Sequence, residues 1–124
     1  MVRNIVRLEV VSQIYYSHPD GTLRPYQVVD LILDSGELAE EFSRYLNEDG
    51  TKWVRHGVYQ SFHKNKKVSS EGSFIHGKEN GIWQDFYDNG QLAAEGKYFE
   101  GKEVGFWRYW NELGQEEESD HYEE

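Results

Sequence analysis

One pattern of apolar and polar positions occurs three times between Gly57 and Gly114, at a fixed interval of 24 residues. Each copy begins with a glycine and continues with alternating residue types, a period that is typical of a β-strand. The three openings are Gly57-Val58-Tyr59-Gln60-Ser61-Phe62, Gly81-Ile82-Trp83-Gln84-Asp85-Phe86 and Gly105-Phe106-Trp107-Arg108-Tyr109-Trp110. A repeat of this length usually forms one supersecondary unit that is stabilised by stacking on its neighbours.

Each copy has the features of a β-hairpin. Asn89-Gly90 separates two short runs rich in aromatic and aliphatic residues, and Asn-Gly is the strongest local signal for a two-residue type I′ turn. With this turn, Tyr87 lies opposite Leu92 and Trp83 lies opposite Gly96. The Trp83 indole can then lie across Gly96, which has no side chain to obstruct it.

The neighbouring turns follow from the same alignment. Asn65-Lys66 occupies the equivalent place in the preceding copy, where Lys66 would have to adopt a positive φ that glycine takes at lower cost. We therefore expect that turn to be the weaker one. If Glu100-Gly101 is the next two-residue turn, Trp107 returns to the face that holds Trp83.

The two faces of the predicted sheet differ in character, because opposed residues share a face. The packed face is predicted to hold Trp83, Tyr87, Leu92, Ala94 and Tyr98. The opposite face forms three columns: Val58, Ile82 and Phe106; Gln60, Gln84 and Arg108; Phe62, Phe86 and Trp110. A solvated face does not need a row of large aromatic side chains. We therefore expect either another part of the chain or another molecule to cover that row.

Strands are also predicted before the repeats. Val2 to Tyr16 and Leu23 to Leu33 are predicted as a pair joined by a turn over residues 17–22, which contains Pro, Asp and Gly in a favourable order. The helical spacing of Leu38 and Phe42 allows a short helix near residues 35–46. Against the helix, the segment from Asp34 onward matches the segment from Asp88, and this similarity favours a turn at 35–36 followed by a strand.

Together these patterns predict an all-β fold in which tandem hairpins with 24-residue repeats share one sheet. Residues 1–50 are predicted to form an N-terminal hairpin region that is continuous with the sheet. Residues 51–124 form the repeat region, which ends in an acidic strand or tail over residues 115–122 and beyond. Acidic side chains suit a terminal strand whose free edge must resist pairing with other molecules.

Composition argues against an enzyme. The chain has no cysteine, which excludes disulfides and thiolate chemistry. Its histidines lack metal-ligand spacing; they are His18, His56, His63, His76 and His121. Ser69-Ser70 beside Glu71 has no histidine fixed near it by sequence, and no glycine-rich loop precedes a helix. We therefore expect no catalytic residues, no cofactor and no metal.

The formal net charge is −10, and carboxylates are concentrated after Arg108. Such a surface repels nucleic acids and anionic membranes. It either attracts a basic protein or serves only to keep the protein soluble. The start of the chain offers no signal peptide, lipidation motif or transmembrane segment, so a cytoplasmic location is expected.

The series Gly-x-Trp-x-x-Phe-Tyr-x-Asn-Gly-x-Leu-x-x-Glu-Gly-x-Tyr-x-x-Gly-Lys over residues 81–102 resembles the MORN-variant repeat of bacterial YwqK-type antitoxins. The resemblance covers residues 57–114, is weaker for residues 36–56, and departs from the usual pattern at Trp53, Lys66 and Leu113. It implies an elongated and twisted antiparallel meander of tandem hairpins that binds proteins and, from the antitoxin label, one that neutralises a toxin.

Two functional hypotheses follow. The first is an antitoxin or immunity-like protein that blocks a basic partner, such as a nuclease toxin, through an acidic, aromatic surface. The partner-binding residues predicted for it are Phe62, Phe86, Arg108, Trp110, Glu71, Glu95, Glu116, Glu117 and Glu118. The alternative is a structural scaffold that self-associates or bridges other proteins. A monomer or a weak homo-oligomer fits the first hypothesis, and a stable oligomer fits the second.

Overall fold

A computed structural model describes residues 4–123 and shows an all-β chain. Its nine antiparallel strands form one sheet in which sequence order and spatial order are the same. The strands are β1 (Ile5–Ser17), β2 (Leu23–Leu33), β3 (Leu38–Leu46), β4 (Trp53–Phe62), β5 (Val68–Ile75), β6 (Lys78–Phe86), β7 (Leu92–Phe99), β8 (Lys102–Tyr109) and β9 (Asp120–Tyr122). The predicted meander is confirmed. Val2, Arg3 and Glu124, which the sequence assigned to the first strand and the acidic end, lie outside the described residues.

The segment near residues 35–46 is a strand, so the helical alternative is wrong. Gly36 takes a φ of 87°, and its amide donates to the Leu33 carbonyl at 2.9 Å to close a tight loop. The strand that follows, β3, pairs with β2 on one side and β4 on the other. Phe42 is thereby buried between neighbouring strands, and this burial outweighs the local helical spacing.

The turn at Asn89-Gly90 is not of type I′. Tyr87 N donates to Gln91 O and Gly90 N donates to Tyr87 O, both at 2.9 Å, and within this loop φ is positive only at Gly90. The loop therefore has three residues, and the register shifts so that Leu92 pairs with Phe86 instead of Tyr87. The Asn89 side chain favours this form, because it accepts a hydrogen bond from Gln91 N at 2.8 Å.

Two-residue turns with two consecutive positive φ values occur at the other end of the strands. Glu100 and Gly101 have φ values of 49° and 83°, and His76 and Gly77 have values of 48° and 86°. The turn predicted at Glu100-Gly101 is confirmed. Lys66 does take the strained conformation that the sequence predicted for it, with a φ of 74°.

The side chains of Trp83 and Trp107 lie on the same face of the sheet, here called the indole face. Ring contacts run along it from strand to strand, with centroid distances of 6.3 Å for Phe42–Tyr59, 5.5 Å for Tyr59–Trp83, 5.9 Å for Trp83–Tyr98 and 5.1 Å for Tyr98–Trp107. Trp107 is only 5% exposed although no second layer covers it. The aromatic rings bury one another, and they join successive hairpins.

The indoles of Trp83 and Trp107 each cover a glycine of the preceding hairpin. Trp83 is opposite Gly96 in the backbone register, as predicted, but its ring lies over Gly72, and the ring of Trp107 lies over Gly96. The reason is a bulge with a positive φ of 81° at Gly81, which places three residues of β6 opposite Gly72. The bulge directs Trp83 towards β5, where its Nε1 donates to Ser73 O at 3.1 Å.

The opposite face, here called the carboxylate face, bears Glu71 and Glu95. Strands β1 to β3 extend the sheet sideways and do not fold over this face. Val58, Ile82 and Phe106 are therefore 65%, 60% and 70% exposed. We expected either another part of the chain or another molecule to cover this face. Within residues 4–123, no other part of the chain covers it. Residues 4–123 contain no helix that could cross a membrane.

Candidate functional site

A row of polar side chains crosses the carboxylate face, with one residue from each of the strands β1 to β8. Each member is the direct partner of the next in the antiparallel register, so all of them share one face. The row, here called the polar row, consists of Glu9, Asp30, Glu41, Gln60, Glu71, Gln84, Glu95 and Arg108. It sets five carboxyl groups against one guanidinium group.

Two amide side chains hold carboxylates in the middle of the polar row. Gln60 Nε2 donates to Glu71 Oε2 at 3.2 Å, and Gln84 Nε2 donates to Glu95 Oε2 at 2.6 Å. The two pairs occupy equivalent positions in successive repeats. A carboxylate has room for about four hydrogen bonds, so both groups retain acceptor capacity for a donor that approaches from outside.

The guanidinium group of the row is already paired within the chain. Arg108 Nε donates to Glu116 Oε1 at 3.0 Å, and its Cζ lies 5.0 Å from the centre of the Trp110 ring. The hydrogen bond to Glu116 and the charges of Glu116 and Glu95 raise the pKa of Arg108. The structure therefore brings together four of the predicted site residues, which are Glu95, Arg108, Trp110 and Glu116. Because they carry two carboxylates and one guanidinium group, this end of the face is acidic.

The three predicted aromatic anchors are less accessible than the sequence suggested. Phe62, Phe86 and Trp110 are each half-buried at the ends of β4, β6 and β8. Hydrogen bonds between successive hairpins hold this region, since His63 Nε2 lies 2.6 Å from Phe86 O and Tyr87 OH donates to Trp110 O at 2.7 Å. These aromatic residues contribute more to the framework than to a docking surface.

The more exposed apolar column of this face consists of Val58, Ile82 and Phe106. It lies two residues along the strands from the polar row. The 24-residue spacing places these residues in one column. Their side chains are smaller on average than those of Phe62, Phe86 and Trp110, and they are not among the partner-binding residues predicted from the sequence. Their exposure makes them better candidates for apolar contact with another molecule.

The three glutamates predicted at the acidic end of the chain, Glu116, Glu117 and Glu118, differ in their contacts with the polar row. Glu116 forms an isolated bridge with Trp110 and pairs with Arg108. Glu117 donates its backbone amide to Tyr109 O at 2.7 Å, and its side chain is exposed, as is that of Glu118. Glu117 and Glu118 therefore lie beside β8 and are not part of the polar row.

At the other end of the row, Asp30 and Glu41 share a site that the sequence did not reveal. The hydrogen bond to Asp30, together with burial and the Asp30 charge, raises the pKa of Glu41 to about 7. Asp30 Oδ1 is buried without a hydrogen-bond partner. Glu41 thus keeps a proton, shared with Asp30, at pH values well above its usual pKa.

The geometry suits binding to a positively charged surface. The face is open, and its acceptors are spaced at the separation of adjacent strands, about 4.8 Å. Within residues 4–123, no three or more His, Cys, Asp or Glu side chains are grouped so that they could hold a metal ion. No family model, curated protein or solved structure matches the chain.

Proposed function

We propose that this chain is a non-enzymatic protein-binding module that holds a basic protein on its carboxylate face. Its biological role in this proposal is that of an antitoxin or immunity-like protein, which neutralises a basic toxin such as a nuclease. The observation that supports the proposal is the polar row, which has five carboxyl groups and one internally paired arginine, next to an exposed apolar column.

The arrangement has the parts of a protein interface. Val58, Ile82 and Phe106 supply apolar area, the exposed Lys97 lies opposite Ile82, and the carboxylates of the polar row lie two residues along the strands. Apolar anchors with charged surroundings are the usual distribution in an interface. A net charge of −10 would speed encounter with a basic partner. The resemblance of residues 81–102 to MORN-variant repeats supports the antitoxin role over other kinds of binding.

Co-expression tests the role. We expect a small basic protein encoded beside this gene to stop growth when expressed alone and to be harmless when expressed with this chain. Calorimetry with that protein then tests the surface. The double variant Glu71→Gln and Glu95→Gln should bind about tenfold more weakly, because two charge pairs at about 0.5–1 kcal/mol each are lost.

A matched control removes two charges elsewhere. Asp34→Asn with Glu100→Gln changes net charge equally, but both residues lie in exposed loops, so its affinity should stay within about twofold of wild type. Equal weakening of both double variants would show that only net charge matters. Unchanged affinity of the Glu71 and Glu95 variant would refute the carboxylate face as the binding surface.

A second candidate function, a self-associating scaffold, is favoured by one observation. Strand β1 pairs only with β2 and is exposed over nearly its whole length, including the apolar residues Val6, Leu8 and Val10. A free, apolar edge is a template for pairing with another strand. Light scattering distinguishes the candidates, since a stable oligomer at micromolar concentration favours the scaffold and a monomer favours the first proposal.

A further inference from the structure

A groove lined with aromatic rings lies on the carboxylate face, away from the polar row. It has a volume of about 610 Å³. Its floor is the pair Tyr26 and Tyr45, which face each other across β2 and β3. One wall is Tyr16 with His18, and the other is His56 with His76. This tyrosine groove, defined by these six residues, begins four residues along β2 from Asp30, or about 13 Å away.

Contacts within the chain hold the rings in place. Tyr45 OH lies 2.8 Å from His76 Nδ1, His76 N donates to His56 Nδ1 at 3.0 Å, and Tyr26 OH donates to His56 O at 2.8 Å. On the other wall, the rings of Tyr16 and His18 are 5.1 Å apart. A ligand would therefore meet a site whose side chains are already ordered, which lowers the entropic cost of binding.

The imidazole of His56 adds no positive charge to the groove. Because His56 Nδ1 accepts a hydrogen bond, the imidazole is in its neutral form, and both burial and the neighbouring His76 lower the pKa of His56. Glu48 lines the groove and is exposed. Arg24 adjoins the groove, because it donates to the carbonyl oxygen of the lining residue Asn47 at 3.3 Å, and it lies 3.8 Å from an Asp20 carboxylate oxygen that offsets its charge.

Aromatic faces and a carboxylate favour one class of ligand. The face of a tyrosine ring attracts a cation within about 6 Å, and the carboxylate of Glu48 adds a direct charge. An anion would be repelled by both. A planar guanidinium group can stack on a ring while its five N–H donors reach hydroxyl and carboxylate oxygens, which an ammonium group does less well.

We propose that the tyrosine groove binds an arginine side chain of the partner protein. This inference rests on the proposed function, because it assigns a specific anchor to the basic partner. The groove and the polar row lie on the same face, so one basic protein can contact both. The arginine would fix the orientation of that protein, while the polar row and the apolar column supply the remaining contact.

Titration with N-acetyl-arginine amide, followed by NMR of the histidine and tyrosine ring signals, tests the groove without any partner. We expect saturable binding in the millimolar range, with shifts at His56 and His76. N-acetyl-citrulline amide has nearly the same shape without the charge, and it should bind at least fivefold more weakly. Equal binding of the two compounds would overturn the proposal, as would binding of the lysine analogue that is tighter than that of arginine.

Two variants locate the binding. Tyr16→Leu removes an aromatic face from the edge strand, and Glu48→Gln removes the charge of an exposed loop residue; each should weaken arginine amide binding at least threefold. Glu48→Gln involves no buried group, so it remains informative if Tyr16→Leu does not fold. Unchanged binding by a folded Tyr16→Leu variant, or by Glu48→Gln, would place the site elsewhere.

The outcomes separate this inference from the function on which it rests. If the chain binds arginine amide through these residues but captures no basic protein, the proposed function fails and the groove stands. If a basic partner binds the Tyr16→Leu and Glu48→Gln variants with wild-type affinity, the arginine assignment fails and the carboxylate face stands. The Glu71→Gln and Glu95→Gln variant should bind arginine amide normally.

Discussion

Replacing Gly96 with alanine tests the packing that joins successive hairpins. The ring of Trp107 lies directly over this glycine, and an added β-carbon would be 2.6 Å from Trp107 Cε3 and closer still to two other ring carbons. Real β-carbons do not approach neighbours so closely, so the indole or the strand must move. Gly96 has no positive φ, which means that the substitution adds no backbone strain and acts through this contact alone.

The magnitude is bounded by two ways of relieving the clash. If the indole stays and the strands separate slightly, overpacking costs about 1–3 kcal/mol. If the indole leaves, about 150–250 Å² of aromatic surface is exposed, at a cost of about 4–6 kcal/mol. The route with the lower free-energy cost determines the loss of stability. Alanine is about 0.5–1 kcal/mol more favourable than glycine within a strand, and this offsets part of the cost. We therefore expect a net loss of about 1–2 kcal/mol.

Urea unfolding followed by tryptophan fluorescence and circular dichroism measures this loss. Gly72→Ala should behave similarly, because Trp83 covers Gly72 in the same manner. Gly21→Ala is the control: nothing lies within 4 Å of its added β-carbon, and only its φ of 84° opposes the change, at about 1 kcal/mol. A Gly96→Ala variant as stable as wild type, with unchanged fluorescence, would refute the covering of Gly96 by Trp107.

Two further predictions concern a strained turn and a shared proton. Lys66→Gly should raise the free energy of unfolding by about 1 kcal/mol, because Lys66 has a φ of 74°; urea unfolding checks this, and Gly90→Lys at the equivalent position should lower it. The free energy of unfolding should also fall as pH rises from about 4.5 to about 7, since folded Glu41 keeps a proton that the unfolded chain has lost. Partial exposure reduces this effect to about 1–2 kcal/mol, and Glu41→Gln should abolish most of it; an unchanged pH profile in that variant would contradict the shared proton.

The repeat made much of the sheet predictable. An even interval keeps equivalent residues on one face, so the alignment of copies predicts the face of Trp107. The pairing of Trp83 with Gly96 was predicted from a two-residue turn, and it holds because a register shift between Asp85 and Phe86 compensates for the three-residue loop. Tyr122 follows Tyr98 by the same 24 residues, and the structure pairs Tyr122 with Gly105, as Tyr98 pairs with Gly81.

The geometry of the Asn89-Gly90 turn was not predictable from local sequence. Asn89-Gly90 is compatible with both a two-residue and a three-residue loop. The choice is supported by a contact from the next hairpin, in which Asn89 Nδ2 donates to Glu112 O at 3.0 Å. Similarly, Trp83 has a glycine on each adjacent strand, and the bulge at Gly81 decides which of them it covers. Both decisions depend on residues far along the chain.

The sequence predicted about half of the polar row. Its members in the repeats follow from the 24-residue alignment, whereas Glu9, Asp30 and Glu41 come from strands without that periodicity. The tyrosine groove was missed for the same reason. Its residues are spread from Tyr16 to His76, and only the order of the strands in the sheet brings them together.

A sheet without a second layer must obtain its stability from one of its faces, and here the two faces differ in this respect. On the indole face, Phe42 and Trp107 are buried by neighbouring rings of the same face, so substitutions there change the folding free energy. On the carboxylate face, Ile82 and Phe106 are exposed and contribute little to folding. Side chains that are not needed to hold the sheet together can be chosen for contact with another molecule, which is why we assign binding to this face.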